Sequence, residues 1–183
     1  NVSVTGAVTL GAGNITVTTA NNVDFNNTVA ANDFTQADGT GTTTFADTIT
    51  LAGAFDFTGN ALTINGAGNT VTGAMTVANA GVFTTGALAD ITAASLTQTG
   101  AGTNTIGNDI TATTGNIDFA TAVTLDQNAA NTITFSTTAG GGDILLGSTL
   151  SNATGESIDF IAGAGNVSVT GAVTLGAGNI TVT

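Results

Sequence analysis

The chain has 183 residues, of which 12 are Asp or Glu and none is Lys, Arg or His, so its formal net charge is −12. Nucleic acids and anionic membranes are bound through Lys and Arg, and this composition therefore argues against both as partners. No run reaches the length of about 18 apolar residues that a membrane-spanning helix needs. A hydrophobic fraction of 42% nevertheless predicts a folded chain rather than acidic disorder.

Short runs in which apolar residues alternate with polar ones fill the chain from its first residues. An alternation with period two predicts β-strands that bury one face and expose the other. Such runs occupy residues 2–4, 7–10, 14–18, 22–25, 48–51, 55–57, 61–64, 74–77, 117–119, 122–125, 133–135, 143–146 and 158–160. We expect an all-β protein whose Phe side chains point inward, in particular Phe25, Phe45, Phe57, Phe119, Phe135 and Phe160.

Turns are predicted between these strands, most clearly where the sequence Gly-Ala-Gly-Asn recurs at residues 11–14, 66–69, 163–166 and 176–179. Gly and Asn tolerate positive φ, which a sharp bend of the chain requires. A phosphate-binding loop is the alternative interpretation of such Gly-rich segments. It would need a following Lys or a helix, and the sequence contains no Lys and no helical pattern.

An exact repeat defines the organisation of the chain. Residues 1–18, NVSVTGAVTLGAGNITVT, recur letter for letter as residues 166–183, so the sequence starts again at Asn166. We interpret residues 1–165 as one period of a tandem array and residues 166–183 as the start of the next. We therefore expect the two copies to have the same backbone, displaced along the array axis with a modest rotation.

Within one period, a phrase of two apolar runs joined by a short corner begins at Val2, Val23, Thr43, Val71, Leu96, Ile117, Ile144 and Val167. The intervals predict coils of 20 to 28 residues, each with about three short strands. Stacked coils form a parallel β-solenoid, in which the rest of each coil is the crossover between paired strands. We predict seven or eight coils per period with right-handed winding. An antiparallel sandwich is the alternative, although the turns do not follow the two-residue Asn-Gly pattern of successive β-hairpins.

The phrases at residues 115–125 and 165–175, GNIDFATAVTL and GNVSVTGAVTL, resemble the β-strand repeats of giant bacterial surface and secreted proteins, including filamentous-haemagglutinin-like adhesins. The resemblance covers nearly the whole chain. It implies secretion, β-helical rods and a role in adhesion, biofilm matrix or extracellular filaments, with further copies of the repeat stacked end to end as partners.

Catalysis is not expected from the residues present. β-Helical enzymes that act on polysaccharides use Lys, Arg or His beside carboxylates, whereas a pair of carboxylates alone could hydrolyse a glycosidic bond. The strand carboxylates Asp24, Asp56, Asp118 and Asp159 recur in similar phrases, which predicts a solvated outer face. We therefore assign no catalytic, cofactor-binding or metal-binding residue and keep a carbohydrate-active enzyme as a remote alternative.

The acidic composition leaves weak calcium binding as an alternative to a chain without ligands. Carboxylates near predicted turns can bind Ca²⁺ together with carbonyl oxygens and water, and the candidates are Asp38, Asp47, Asp90, Asp109, Asp126, Asp143 and Glu156. Isolated surface acids that keep a rod soluble are the simpler interpretation. Pairs of the form Thr-x-Thr, as at Thr48 and Thr50, are also the residue type of ice-binding solenoids, but coils of unequal length predict that they do not align.

The sequence as a whole predicts a structural protein, the shaft of an extracellular fibre or of a large cell-surface adhesin. Inward apolar side chains would stack coil on coil, and the acidic, Thr-rich exterior would oppose lateral association. An adhesin stalk with a ligand-binding or glycan-binding surface is the alternative within the same location.

Overall fold

The computed structural model describes residues 1–126 and 131–183, and throughout these residues the ordered elements are β-strands. Among them no helix is long and apolar enough to cross a membrane. All the strand pairs are parallel, and each strand pairs with strands of the preceding and following coils. The fold is therefore a parallel β-solenoid of about eight coils, as predicted, and the antiparallel sandwich is excluded.

The strands form three faces, which we number in chain order, and each complete coil passes through all three. The first face contains β1 Val2–Val4, β4 Val23–Phe25, β7 Thr42–Phe45, β10 Ala61–Ile64, β12 Phe83–Thr85, β14 Asn104–Ile106, β17 Val123–Leu125, β20 Leu150–Asn152 and β23 Val173–Thr174. These nine strands form one continuous sheet.

The second and third faces are joined where two long strands, β11 Asn69–Asn79 and β13 Ile91–Gln98, run around the corner between them with a shift of register after Val71. The other strands of the second face are β2 Val8–Thr9, β5 Val29–Ala31, β8 Ile49–Leu51, β15 Ile110–Ala112, β18 Thr132–Ser136, β21 Ser157–Ile161 and β24 Ile180–Val182. The other strands of the third face are β3 Ile15–Val17, β6 Phe34–Gln36, β9 Phe55–Gly59, β16 Ile117–Phe119, β19 Ile144–Leu146 and β22 Val167–Val169.

The coils differ in length because their corners differ. On the first face, one of the shortest coils runs from Thr43 to its partner Leu62, and the longest runs from Val123 to its partner Leu150. The predicted phrase starts are correct for Val2, Val23 and Thr43, which pair in one column. The later starts do not pair in the same column as these three. Val71 lies on the second face, and the last four starts lie on the third.

One hydrophobic core fills the interior of the coils from end to end. The six Phe side chains predicted to point inward are all buried. Phe25 stacks on Phe45 of the next coil, with ring centroids 4.9 Å apart, and Phe119 stacks on Phe135. Phe25 and Phe45 are paired positions of one face, whereas Phe119 lies on the third face and Phe135 on the second, so inward rings pack both along the axis and between faces.

Polar side chains also enter this interior, at positions that the alternation assigns to the buried side. Gln98, for example, donates to the Asn79 side-chain oxygen at 2.8 Å and to the Gly100 carbonyl at 2.7 Å. Asn69 accepts from the backbone N–H of Ile49 at 3.0 Å in the coil below. At the corners, buried Asn and Gln side chains therefore form the hydrogen bonds that backbone carbonyl and N–H groups would otherwise make with other backbone groups.

The Gly-Ala-Gly-Asn turns are confirmed as sharp bends. Each of the four contains one glycine with positive φ, namely Gly11 at 56°, Gly68 at 69°, Gly163 at 60° and Gly176 at 41°. An L-residue with a Cβ adopts this conformation only at a cost, which explains why glycine occupies these positions.

The two copies of the repeated sequence confirm one expectation and correct another. Their strand boundaries are the same: Val2–Val4 corresponds to Val167–Val169, and Ile15–Val17 to Ile180–Val182. However, Val2 lies on the first face and Val167 on the third. One period therefore spans seven coils and two further faces, and the rotation between the copies is a third of a turn rather than modest.

Candidate functional surfaces

The strand carboxylates point away from the core, as predicted from their phrase, although one carboxylate oxygen of Asp159 is buried without a hydrogen-bond partner. Asp24 is on the first face, Asp56 and Asp118 are on the third, and Asp159 is on the second. In each case the apolar residues on either side of the Asp are buried. These four carboxylates are thus distributed over three faces and do not form one pocket.

Most of the turn carboxylates named as calcium candidates accept hydrogen bonds from backbone N–H groups. Asp90 accepts from the N–H of Gly68 at 2.8 Å, Asp109 from Thr134 at 2.7 Å and Asp143 from Asn166 at 2.7 Å, each in a neighbouring coil. Asp38 and Asp47 accept from the N–H of the residue that follows them. The contacts of the first three acids tie the corners of adjacent coils together.

Glu156 differs from the other turn acids because it is fully buried. Its carboxylate accepts from the backbone N–H of Thr154 at 2.9 Å and from the hydroxyl of the same residue. The Asn152 side chain donates to the backbone carbonyl of Glu156 at 2.7 Å. The sequence missed this burial, although the inward position of Ile158 two residues later indicates it by alternation.

Within residues 1–126 and 131–183, no group of three or more His, Cys, Asp or Glu side chains lies close enough together to hold a metal ion. Asp126 lies at the corner after β17 and is partly buried. Weak calcium binding by single turn acids stays a prediction that these contacts neither support nor contradict.

Asp33 offers a test of the structural role of the turn acids. Its carboxylate accepts from the backbone N–H of Ala54 in the next coil at 2.8 Å and from the Asn32 side chain at 2.9 Å. Asp33→Ala leaves that partly buried N–H unpaired, and we expect a loss of about 1–3 kcal/mol in the free energy of unfolding, measured in urea. Asp33→Asn keeps an oxygen that can accept this hydrogen bond, so we expect it to retain most of the free energy of unfolding. Equal losses in both variants would contradict a hydrogen-bonding role.

Hydroxyl side chains form a continuous file on the outside of the first face. Paired strands place seven consecutive Thr or Ser residues in register: Thr44, Thr63, Thr84, Thr105, Thr124, Ser151 and Thr174. The corners absorb the differences in coil length, so that single hydroxyl positions come into register. The file contains none of the Thr-x-Thr pairs, such as Thr48 and Thr50, and it does not contradict the expectation that those pairs fail to align. The preceding outward position includes Ala61, Val82 and Ala122, so the unbroken hydroxyl file is one residue wide.

The two ends of the solenoid are the most distinctive surfaces. At the first coil, an apolar hollow of about 410 Å³ opens to solvent between Val4, Ile15, Val17 and Phe25. At the last coil, Ile180 and Val182 are 47% and 62% exposed although they belong to strands. Each end presents apolar side chains beside a strand edge whose backbone groups have no neighbouring strand.

Comparison with known proteins adds no family to these observations. No family model matches the chain, and neither a curated protein nor a solved structure matches it.

Proposed function

We propose that this chain is a structural segment of an extracellular or cell-surface shaft, in which solenoid repeats stack end to end. The observation that carries the proposal is the exact repeat of residues 1–18 as residues 166–183, with the same strand boundaries in both copies, on coils that pair in parallel throughout the described residues. Unpaired strand edges bind further strands unless Pro, Lys or a covering segment blocks them. The sequence has neither Pro nor Lys.

The sides of the solenoid support the same proposal because their composition opposes association between neighbouring rods. The outward positions carry Thr, Ser and Asp, and the net charge is −12 with no cationic side chain to form ion pairs between neighbouring rods. Like charges on parallel rods repel over about 10 Å at 0.1 M salt. Association is therefore favoured along the axis and opposed laterally, which is the behaviour required of a shaft.

The mechanical properties of such a shaft would come from the axial arrangement of its interactions. Parallel backbone ladders run along the rod, and Phe, Ile, Leu and Val stack in the same direction. Because each coil contacts only its neighbours, length is added without changing the cross-section. An adhesive surface carried on this shaft, for a glycan or another ligand, stays a prediction from the resemblance.

End-to-end association can be measured by sedimentation velocity and negative-stain microscopy of the purified chain. We expect rods that lengthen with protein concentration at constant width. A stable monomer at high concentration of the unaltered chain would rule out the proposal.

A matched pair of double variants separates the ends from the sides. Val17→Lys with Val182→Lys places a charge on the corresponding strand at each end. Val82→Lys with Leu88→Lys places the same two charges at exposed side positions. We expect the first double variant to abolish lengthening and the second to leave it unchanged. Equal lengthening of both would mean that the strand edges at the ends are not the contact.

A further inference from the structure

The same 18-residue sequence is seen in this structure with opposite edges paired. We call residues 1–18 and their copy, residues 166–183, the junction segment. In the first copy the edge that faces the following coil is paired, and in the second copy the edge that faces the preceding coil is paired. The structure therefore contains both neighbours of the junction segment, although neither copy has both of them.

The two sets of neighbours are compatible with one another. Both pair the same residues of the junction segment, and at four of its five paired Val and Ile positions both partners are apolar; the fifth, Val182 or Val17, lies between Phe160 and Gln36. The columns, written as preceding partner, junction residue and following partner, are Ile144, Val167 or Val2, Val23; Leu146, Val169 or Val4, Phe25; Leu150, Val173 or Val8, Val29; and Ile158, Ile180 or Ile15, Phe34.

We propose that a second copy of this chain binds at the open end through one shared junction segment. This segment, from either copy, lies between β19–β21 of one copy and β4–β6 of the next, and it displaces its duplicate. The inference rests on the proposed end-to-end function and specifies its geometry. It covers the residues left open at both ends, since Val2 is 44% and Ile180 47% exposed with only one edge paired.

A shared junction fixes the rotation between the copies. The junction segment takes its place on the third face of the preceding copy with Val167, and the same residue, as Val2, begins the first face of the following copy. The third face of one copy therefore continues as the first face of the next. Each copy advances by seven and two-thirds coils, and three copies return to the starting face after 23 coils.

This arrangement predicts which outward residues of the two copies lie in one column. Asp118 pairs with Leu145, which pairs with Ser168 of the junction segment, and Ser168 is the duplicate of Ser3. Ser3 pairs with Asp24, which pairs with Thr44. Asp118 of one copy and Thr44 of the next are therefore four strands apart on one face, about 19 Å at about 4.8 Å per strand.

The distance can be measured between singly labelled full-length chains, because the sequence contains no Cys that would compete for the label. One preparation carries Asp118→Cys with a Gd(III) tag and the other carries Thr44→Cys with a nitroxide. Mixed at equal concentration, they should give a dipolar distance of about 19 Å, the span of four strand spacings. The matched control replaces the first variant by Thr124→Cys, which lies on the following strand but on the first face. Its distance to the partner's label should be longer, because it crosses to another face.

The other outcomes overturn the inference in distinguishable ways. A distance of about 24 Å between the Asp118 and Thr44 labels is one strand spacing more, and it would mean that both junction segments are stacked between the copies. End-to-end association would then be supported, and the shared junction segment would be ruled out. A shorter distance from Thr124 than from Asp118 means that the copies stack without the rotation. Oligomers that show neither distance mean association away from the ends. Absence of dipolar coupling together with monomeric sedimentation overturns the proposed function as well.

Discussion

Phe45→Ala is expected to lower the free energy of unfolding by about 3–5 kcal/mol, the range measured when a buried Phe is truncated and leaves a cavity. Phe45 is fully buried and contacts three other rings. Its centroid lies 4.9 Å from that of Phe25, 5.1 Å from that of Phe34 and 5.7 Å from that of Phe55. These rings come from two successive coils and two faces, so the cavity would weaken the interior across all of them.

Urea denaturation followed by circular dichroism measures this loss, and amide hydrogen exchange locates it. The matched control is Thr44→Ala on the preceding residue, whose side chain lies on the outer surface of the same strand. We expect the control to cost less than about 1 kcal/mol, the span of β-propensity. Protection should fall between about residues 23 and 64 in the Phe45 variant. A loss for Phe45→Ala no larger than that of the control would mean that this Phe cluster does not hold the coils together.

Gly102→Ala is expected to cost about 3 kcal/mol, because there is no room for a Cβ atom between two coils at this corner. The added carbon would overlap the carbonyl oxygen of Gly81 and lie 2.8 Å from the side-chain nitrogen of Asn79. The backbone N–H of Gly102 also donates to the Asn79 carbonyl at 2.9 Å. The chain can relieve the overlap only by separating the coils and lengthening that hydrogen bond.

Gly6→Ala is the matched control, measured at a protein concentration too low for end-to-end association, because within one chain a Cβ at that position meets no atom within 4 Å. Its φ is not positive, so the substitution adds neither overlap nor backbone strain. We expect thermal unfolding of Gly6→Ala to match that of the unaltered chain and that of Gly102→Ala to occur at a clearly lower temperature. Similar unfolding temperatures for the two variants would show that the coils are not packed this closely at Gly102.

The sequence was sufficient to predict the solenoid because its two strongest signals, the alternation and the exact repeat, can be recognised without a structure. Alternation assigns Val23 and Phe25 inward and Asp24 outward without reference to any other part of the chain. The exact repeat then indicates stacked coils. The alternation depends only on neighbours one or two positions away, and for Val23, Asp24 and Phe25 the structure agrees with it.

The face on which each strand lies could not be predicted in the same way, since two apolar runs joined by a short corner show the same pattern on every face. Val71 follows the same alternation as Thr43, but it lies on the second face because the coil from Thr43 to Leu62 is short. The lengths of the corners determine the face on which a strand lies. Corner sequences carry no alternation from which those lengths could be predicted. The rotation of Val167 relative to Val2 is the accumulated result.

The buried polar side chains were missed for a related reason. Gln98 lies two residues after Leu96 on the same side of its strand, so alternation places it inside. What makes the position favourable is the set of carbonyls of Gly100 and Gly102 at the corner that follows, which only the folded coil brings within reach.

The length distribution of assembled particles, measured by electron microscopy at increasing protein concentration, tests the proposed shaft most directly. End-to-end stacking with a shared junction advances each copy by seven and two-thirds coils, which is about 37 Å at about 4.8 Å per coil. We expect rods of constant width whose lengths increase in steps of about 37 Å, with a rotation of one third of a turn at each step. Particles that widen with concentration while their length stays that of one chain would contradict the account.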